Sequence, residues 1–258
     1  MPILFLSPST QEFNPYVTTG NEEYWMNRLA DEMEPYLLAS GIDFVRNDPA
    51  ANAAAAIRKS NEGDYDFHLA LHSNASGPGR EGMNRGIDIY YYPGSADSLR
   101  MAQILVDNLR PIYPMPDSVQ AIATRSLGEV SRTNAPAVLA ELGYHDNRED
   151  AMWIEENLSQ IASAIVLAVT EYFGVPFQRP QPIRTGTVTV QWGRLNIRDL
   201  PSLDSAVLTQ AENGDRLIVY GEEGNWYSVG LRGMVGYAAS AYVVTDQLNV
   251  LPSVPNME

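Results

Sequence analysis

At Gln178-Arg179-Pro180-Gln181-Pro182 the chain changes character, and that switch limits what the whole can fold into. Proline fixes φ and lacks a backbone donor, so this run reads as a stiff connector instead of a helix or central strand. Upstream, strand-like and helix-like patterns alternate. Downstream, short segments rich in Val, Tyr and Thr are punctuated by Gly193, Pro201, Gly214, Gly221, Gly224, Gly233 and Gly236. Short strands at that turn spacing predict a small all-β barrel. The chain therefore divides into residues 1–178, a connector at 179–185, a barrel at 186–246 and a tail at 247–258. Few contacts are expected across the connector.

In the first part, Pro2–Leu6 and Ile42–Arg46 read as short apolar strands. Between them, Met26, Leu29, Ala30, Met33 and Leu37 recur at helical spacing over Glu22–Ala39, with Asn21 as the N-cap. Tyr65–His72 and Ile87–Tyr92 are strand-like, Ser95–Leu109 is helical, and Pro136–Leu142 is the continuous apolar run of a strand buried on both faces. One long helix is predicted from Arg148 to about Phe173, opened by Asn147 as cap and Asp150 at its N3 position. The alternation predicts an α/β fold: a layered, mostly parallel or mixed sheet flanked by helices.

Composition removes several function classes. No cysteine is present, so disulfides and thiolate metal sites are excluded. The net charge of −15, most of it before Gln178, disfavours nucleic acid and anionic membranes as partners. The apolar opening Met1–Leu6 lacks a basic start and breaks at Ser7-Pro8-Ser9. It reads as a first strand, not a signal peptide, and no run is long enough for membrane insertion.

The candidate chemistry starts from three histidines, His68, His72 and His145. His68 and His72 share one strand face but stand roughly 13 Å apart, too far to bind one ion together. His72 lies at the carboxyl end of its strand, where α/β sheets place their ligands. The run His72-Ser73-Asn74-Ala75 resembles the "HxNA" element of the zinc amidases of the amidase_3 family, which cut N-acetylmuramoyl-L-alanine bonds. Asn21-Glu22-Glu23 is similar to the family's metal-binding glutamate element, and the register through Asn27 favours Glu23 over Glu22. Pro136-Ala137-Val138-Leu139-Ala140-Glu141-Leu142-Gly143-Tyr144 resembles its "PAVLVE.GF" strand. Asn147 and Asp150 match the residues that lead into its last helix. The resemblance spans about residues 2–173.

It implies a Zn ion held by Glu23 and His72, Glu141 as general acid/base, and Asn74 shaping the substrate cleft. Amide hydrolysis needs a polarised carbonyl, an activated water and a proton carrier. An ion held by imidazole and carboxylate, beside a buried strand-end carboxylate, supplies all three. One departure stands out. The family carries another zinc-binding His in the loop after the first strand, whereas Ser7–Asn14 holds none, and Phe13 takes roughly the matching place. Three arrangements stay open: His145 as third ligand, Glu12 in its stead giving a harder, oxygen-rich site, or a site that binds metal weakly or not at all.

Residues 186–245 resemble a bacterial SH3 (SH3b) domain. The resemblance rests on Leu195-Asn196-Ile197-Arg198, Pro201-Ser202, Gly214-Asp215, Asn225–Val229 and Gly236-Tyr237, the last standing where the family usually has Gly-Trp. Trp226 is expected in the core of this SH3-like barrel, because aromatics bury the most area in a small domain. Together the resemblances imply a peptidoglycan hydrolase acting outside the cell at the wall, by an export route the sequence does not reveal. Its rivals are a metallopeptidase cutting within the stem peptide and a non-catalytic wall-binding protein with a degenerate metal site.

Overall fold

The computed structural model describes residues 2–246; the tail expected at 247–258 lies outside the described residues. The first part runs β1 (Ile3–Pro8), α1 (Glu22–Ala39), β2 (Asp43–Arg46), α2 (Ala53–Glu62), β3 (Phe67–Asn74), β4 (Ile87–Tyr91), α3 (Ala96–Leu109), β5 (Val119–Ala123), α4 (Gly128–Ser131), β6 (Ala137–Tyr144), α5 (Arg148–Glu156) and α6 (Leu158–Phe173). Its six strands form one mixed sheet in the order β2-β1-β3-β6-β4-β5. The first four are parallel, and β4 meets β6 antiparallel.

The two faces of this sheet differ in depth. Leu4, Leu6, Leu69, Leu71, Val138, Ala140, Ile87 and Ile89 are buried in one core with Met26, Leu29, Met33, Leu105, Ile161 and Ile165 of α1, α3 and α6. The opposite face carries a small cluster of Ala70, Leu139 and Val130 beside α4. Because strand side chains alternate, His72 and Glu141 share the thinner face with Ala70 and Leu139. His72 lies opposite Glu141 across β3 and β6, and Glu141 lies opposite Asp88 across β6 and β4. Pairing thus lines up three ionisable residues on one face of the sheet.

The helix predicted from Arg148 to Phe173 is broken in two. Asn157, at φ −124° and ψ 20°, separates α5 from α6. Its side chain donates to the Trp153 carbonyl at 2.8 Å, the local competition with helical bonding typical of Asn.

The remainder runs β7 (Arg184–Val188), β8 (Leu195–Arg198), β9 (Val207–Ala211), β10 (Arg216–Glu223), β11 (Trp226–Leu231), β12 (Met234–Ala239) and β13 (Val243–Thr245). These form a seven-stranded antiparallel sheet in the order β13-β7-β10-β11-β12-β8-β9. Its core is aliphatic, built from Val188, Leu195, Ile197, Leu217, Val219, Val229 and Leu231. Trp226 is not in that core. It opens β11 half-buried and lines a groove with Trp192, which is 91% exposed, and Tyr242.

The expectation of few contacts across the connector also fails. Tyr237 of β12 is fully buried, and its hydroxyl donates to the Ser40 carbonyl at 2.6 Å. Ser40 follows α1, and next to it Gly41 takes φ +70°; a Cβ there would sit 2.5 Å from the Tyr237 ring. Only glycine gives both that backbone and that approach. Gln178 adds a bond from its N–H to Ser40 Oγ at 2.9 Å and another from its side chain to Glu223. The tyrosine standing for the family's tryptophan therefore joins the two parts. Tyr237→Phe keeps the ring but strands a buried acceptor, and should cost about 1–2 kcal/mol of stability. Urea unfolding of the full chain measures this; an unchanged midpoint would count against the docking role.

Candidate functional site

The site assembles at the carboxyl ends of β1, β3 and β6, with one residue from the start of α1. Asn21 caps α1 by accepting from the Tyr24 N–H at 2.8 Å, which makes Glu22 the first helical residue. Glu22 turns inward and is 1% exposed. Its Oε1 lies 2.7 Å from His72 Nδ1, and its Oε2 accepts from Asn14 Nδ2 at 2.6 Å. A single proton or a cation must lie between a carboxylate and an imidazole nitrogen held this close.

The sequence reading favoured Glu23, and the structure places that side chain elsewhere. One helical step turns a residue by about 100°, which carries Glu23 off the buried face. Its carboxylate accepts from Asn27 at 3.3 Å and borders a separate surface hollow with Tyr24, Arg28 and Asp31.

The other nitrogen of His72 faces a residue that sequence reasoning missed. His72 Nε2 stands 3.2 Å from Glu129 Oε2 of α4. Glu129 is itself buried, accepts from Ser7 Oγ at 2.6 Å, and lies 3.3 Å from His68 Nε2. His68 completes the chain through Ser60 at 2.9 Å and stacks on Phe5. The two histidines of β3, too far apart to share an ion, are thus bridged by one carboxylate. Burial pushes the Glu129 carboxyl up, but His68 and His72 outweigh it and hold it well below the usual range. Burial disfavours a charged His72, yet Glu129 and Glu22 hold its pKa well above the ordinary value. Burial likewise pushes Glu22 up, and its bond to His72 leaves it below the ordinary value.

Gln11, in the loop that lacks the expected imidazole, reaches the Glu22–His72 pair. Its amide nitrogen lies 3.3 Å from His72 Nδ1 and 3.5 Å from Glu22 Oε1, and its Oε1 accepts from Asn14 at 3.2 Å. A half-turn of the amide exchanges its oxygen and nitrogen. Neither earlier candidate for a third ligand reaches this point. His145 Nδ1 faces the Ser73 carbonyl at 2.8 Å and Ser73 Oγ at 3.1 Å, and the ring stacks on Tyr16. This imidazole props the loop after β1 instead of facing His72. Glu12 is exposed on the rim of the cleft, and Phe13 is 73% exposed. Among the described residues no three His, Asp or Glu side chains gather to hold an ion.

Glu141 occupies the position its strand predicted. It lies beside His72 through the β3–β6 pairing, and its buried Oε2 has no hydrogen-bond partner among the described residues. Burial is the main force lifting its pKa to about 7; Glu22, Asp88 and Glu129 add to the rise while His72 opposes it. Asn74 ends β3 with its side chain folded back to accept from the Ala75 N–H at 2.8 Å. Gln11 and Glu129 fall outside the motifs: one lies in an irregular loop, the other in a four-residue helix with no periodic signature.

Comparison with known proteins gives this arrangement its context. Residues 14–171 match the Amidase_3 family, described as N-acetylmuramoyl-L-alanine amidase, and residues 193–244 match the bacterial SH3 domain family. The amidase match begins beyond the Ser9–Phe13 loop, where the departure from the expected metal ligands lies. YrvJ of Bacillus subtilis (strain 168) is 36% identical over 64 residues, which is 25% of this chain and only 12% of that protein. The fold matches the catalytic domain of CwlV, an N-acetylmuramoyl-L-alanine amidase of Bacillus (Paenibacillus) polymyxa var. colistinus. That match has a TM-score of 0.59 and 18% identity, and covers 68% of this chain and 100% of that one. It also matches AmiC2, an N-acetylmuramoyl-L-alanine amidase of Nostoc punctiforme, with a TM-score of 0.58 and 16% identity over 67% of this chain and 97% of that one. With most of its length in the family match and the shared sheet beneath the site, the chain belongs to the Amidase_3 family of N-acetylmuramoyl-L-alanine amidases and carries a bacterial SH3 domain behind it.

Proposed function

We propose that this protein hydrolyses the amide between N-acetylmuramic acid and L-alanine in peptidoglycan, outside the cell, with the SH3 domain holding it at the wall. The observation that carries the reading is Glu141, set beside the Glu22–His72 pair with a buried, unpartnered oxygen. SH3 binding raises the effective concentration of the hydrolase at an insoluble substrate. No helix among the described residues is long and apolar enough to cross a membrane.

The residues fit a zinc ion, the metal the family resemblance implies. His72 offers Nδ1 toward Glu22 and Gln11, while Glu129 takes the opposite ring nitrogen. A carboxylate on the far nitrogen is the usual means of orienting a metal-bound histidine. Glu22, His72 and the Gln11 amide oxygen would hold the ion, a set harder than the family's two imidazoles and a carboxylate. Bound there, zinc supplies carbonyl polarisation and a water that ionises near neutral pH. Glu141 takes a proton from the attacking water as its oxygen bonds to the carbonyl carbon. It returns that proton to the L-alanine nitrogen as the carbon–nitrogen bond breaks.

Digestion of purified peptidoglycan with zinc present tests the reading. New L-alanine amines on intact stem peptides are expected. Amines within the stem would identify a metallopeptidase instead, and wall co-sedimentation with no release would identify a binding protein. The ligand set has its own test. Gln11→His should tighten zinc binding by at least about tenfold in chelator competition, because imidazole suits zinc better than an amide oxygen. Equal affinity in the two proteins would remove Gln11 from the set.

A further inference from the structure

Beside His72 a cleft of about 470 Å³ opens at the carboxyl ends of β1, β2 and β3, with His72 and Glu129 in its wall. Any group seated there is a near neighbour of a bond held at His72. Two polar features of the cleft have hydrogen-bonding capacity left unused among the described residues. Asn47, the residue after β2, lines it and is only 6% exposed. Its Nδ2 donates to the Pro8 carbonyl at 2.9 Å, which fixes the amide so that Oδ1 is the free end. That oxygen has no partner among the described residues. A buried acceptor left unmade costs about 1–3 kcal/mol, so it calls for a donor.

The second feature is the start of α2, ten residues long, whose Ala53 also lines the cleft. Asn52 caps this helix and takes the Ala55 N–H at 3.0 Å. The N–H groups of Ala53 and Ala54 have no acceptor within the helix and suit a carbonyl oxygen. An anion is disfavoured, because Glu12 and Glu129 also line the cleft. Ser9, Thr10, Gln11 and Phe13 of the loop after β1 complete the wall, and its small apolar part is Pro8, Ala51, Ala53 and Ala56.

We infer that this cleft is a subsite for a neutral secondary amide, namely the acetamido group of the glycan. The amide N–H donates to Asn47 Oδ1, the carbonyl accepts from the first turn of α2, and the methyl packs on the alanines. A peptide-backbone amide has the same polar pattern but carries a chain where the alanines leave room for a methyl. The assignment rests on the proposed amidase reaction and names the sugar-side determinant of its substrate.

The test uses the full chain on two soluble muropeptides, one N-acetylated and one with the muramic amino group free. Hydrolysis of the acetylated compound should exceed that of the other by at least about tenfold in kcat/KM. Ala53 is exposed on α2, so Ala53→Leu fills the cleft with little risk to folding. It should raise KM for the acetylated compound and shrink the preference; Asn47→Leu should do the same if it folds. Equal rates on both compounds in the wild type, or a preference untouched by Ala53→Leu, overturns the subsite and leaves the amidase reading standing. Inhibition by an end-capped alanine peptide that disappears in Ala53→Leu would assign the cleft to peptide and also overturn the acetamido proposal. No hydrolysis of either compound would instead refute the amidase reading and the subsite with it.

Discussion

Glu141→Gln is expected to lower the release of L-alanine amines from purified walls by at least about 100-fold, the lower end of what general acid/base groups contribute. The amide keeps the shape of the side chain but neither accepts nor returns a proton. The environment of Glu141 makes it suited to both transfers. Burial first, then the neighbouring carboxylates Glu22, Asp88 and Glu129, lift its pKa to about 7. Zinc content and the unfolding midpoint should stay close to wild type, because Oε2 has no partner to lose among the described residues. Turnover above about a tenth of wild type would show that another group carries the proton.

Asp150→Ala is expected to have the largest effect on stability, about 3–5 kcal/mol, read from the shift in urea midpoint. Asp150 is fully buried and gathers four donors. Arg85 Nε lies at 2.9 Å, the Tyr113 hydroxyl at 2.7 Å, the Tyr144 N–H at 3.0 Å and the Gly86 N–H at 3.2 Å. Removing the carboxylate strands two backbone N–H groups and leaves a guanidinium without its buried partner. The loss reaches the site as well, since Tyr144 ends β6 three residues after Glu141 and Gly86 precedes β4. A shift below about 1 kcal/mol would show that water satisfies those groups instead.

While β5, α2 and α4 carried no signal that was read, the sequence by itself determined five of the six strands of the mixed sheet, the helices α1 and α3 and the span of α5 and α6, and the strand-end positions of His72 and Glu141. Each of these lies in a segment whose periodicity is fixed locally: a run buried on both faces must be an inner strand, and a strand end marks the ligand edge. The Asn21 cap and the switch of pattern at Pro180–Pro182 were legible for the same reason. Choosing between Glu22 and Glu23 was not, because both are acidic residues in a first helical turn and only packing against His72 selects the inward one. Gln11 and Glu129 come from an irregular loop and a four-residue helix, so no period announced them; the tertiary fold alone brings both within reach of His72. His145 shows the converse. Its place in the sequence put it at the right sheet edge, but Ser73 and Tyr16 decide where its ring faces. Tyr237 obeys the same logic at longer range: it stands 197 positions along the chain from Ser40, whose carbonyl its hydroxyl meets. Periodicity records which way a residue faces relative to its own strand or helix. Only the packing of those elements decides which side chains share a proton or an ion.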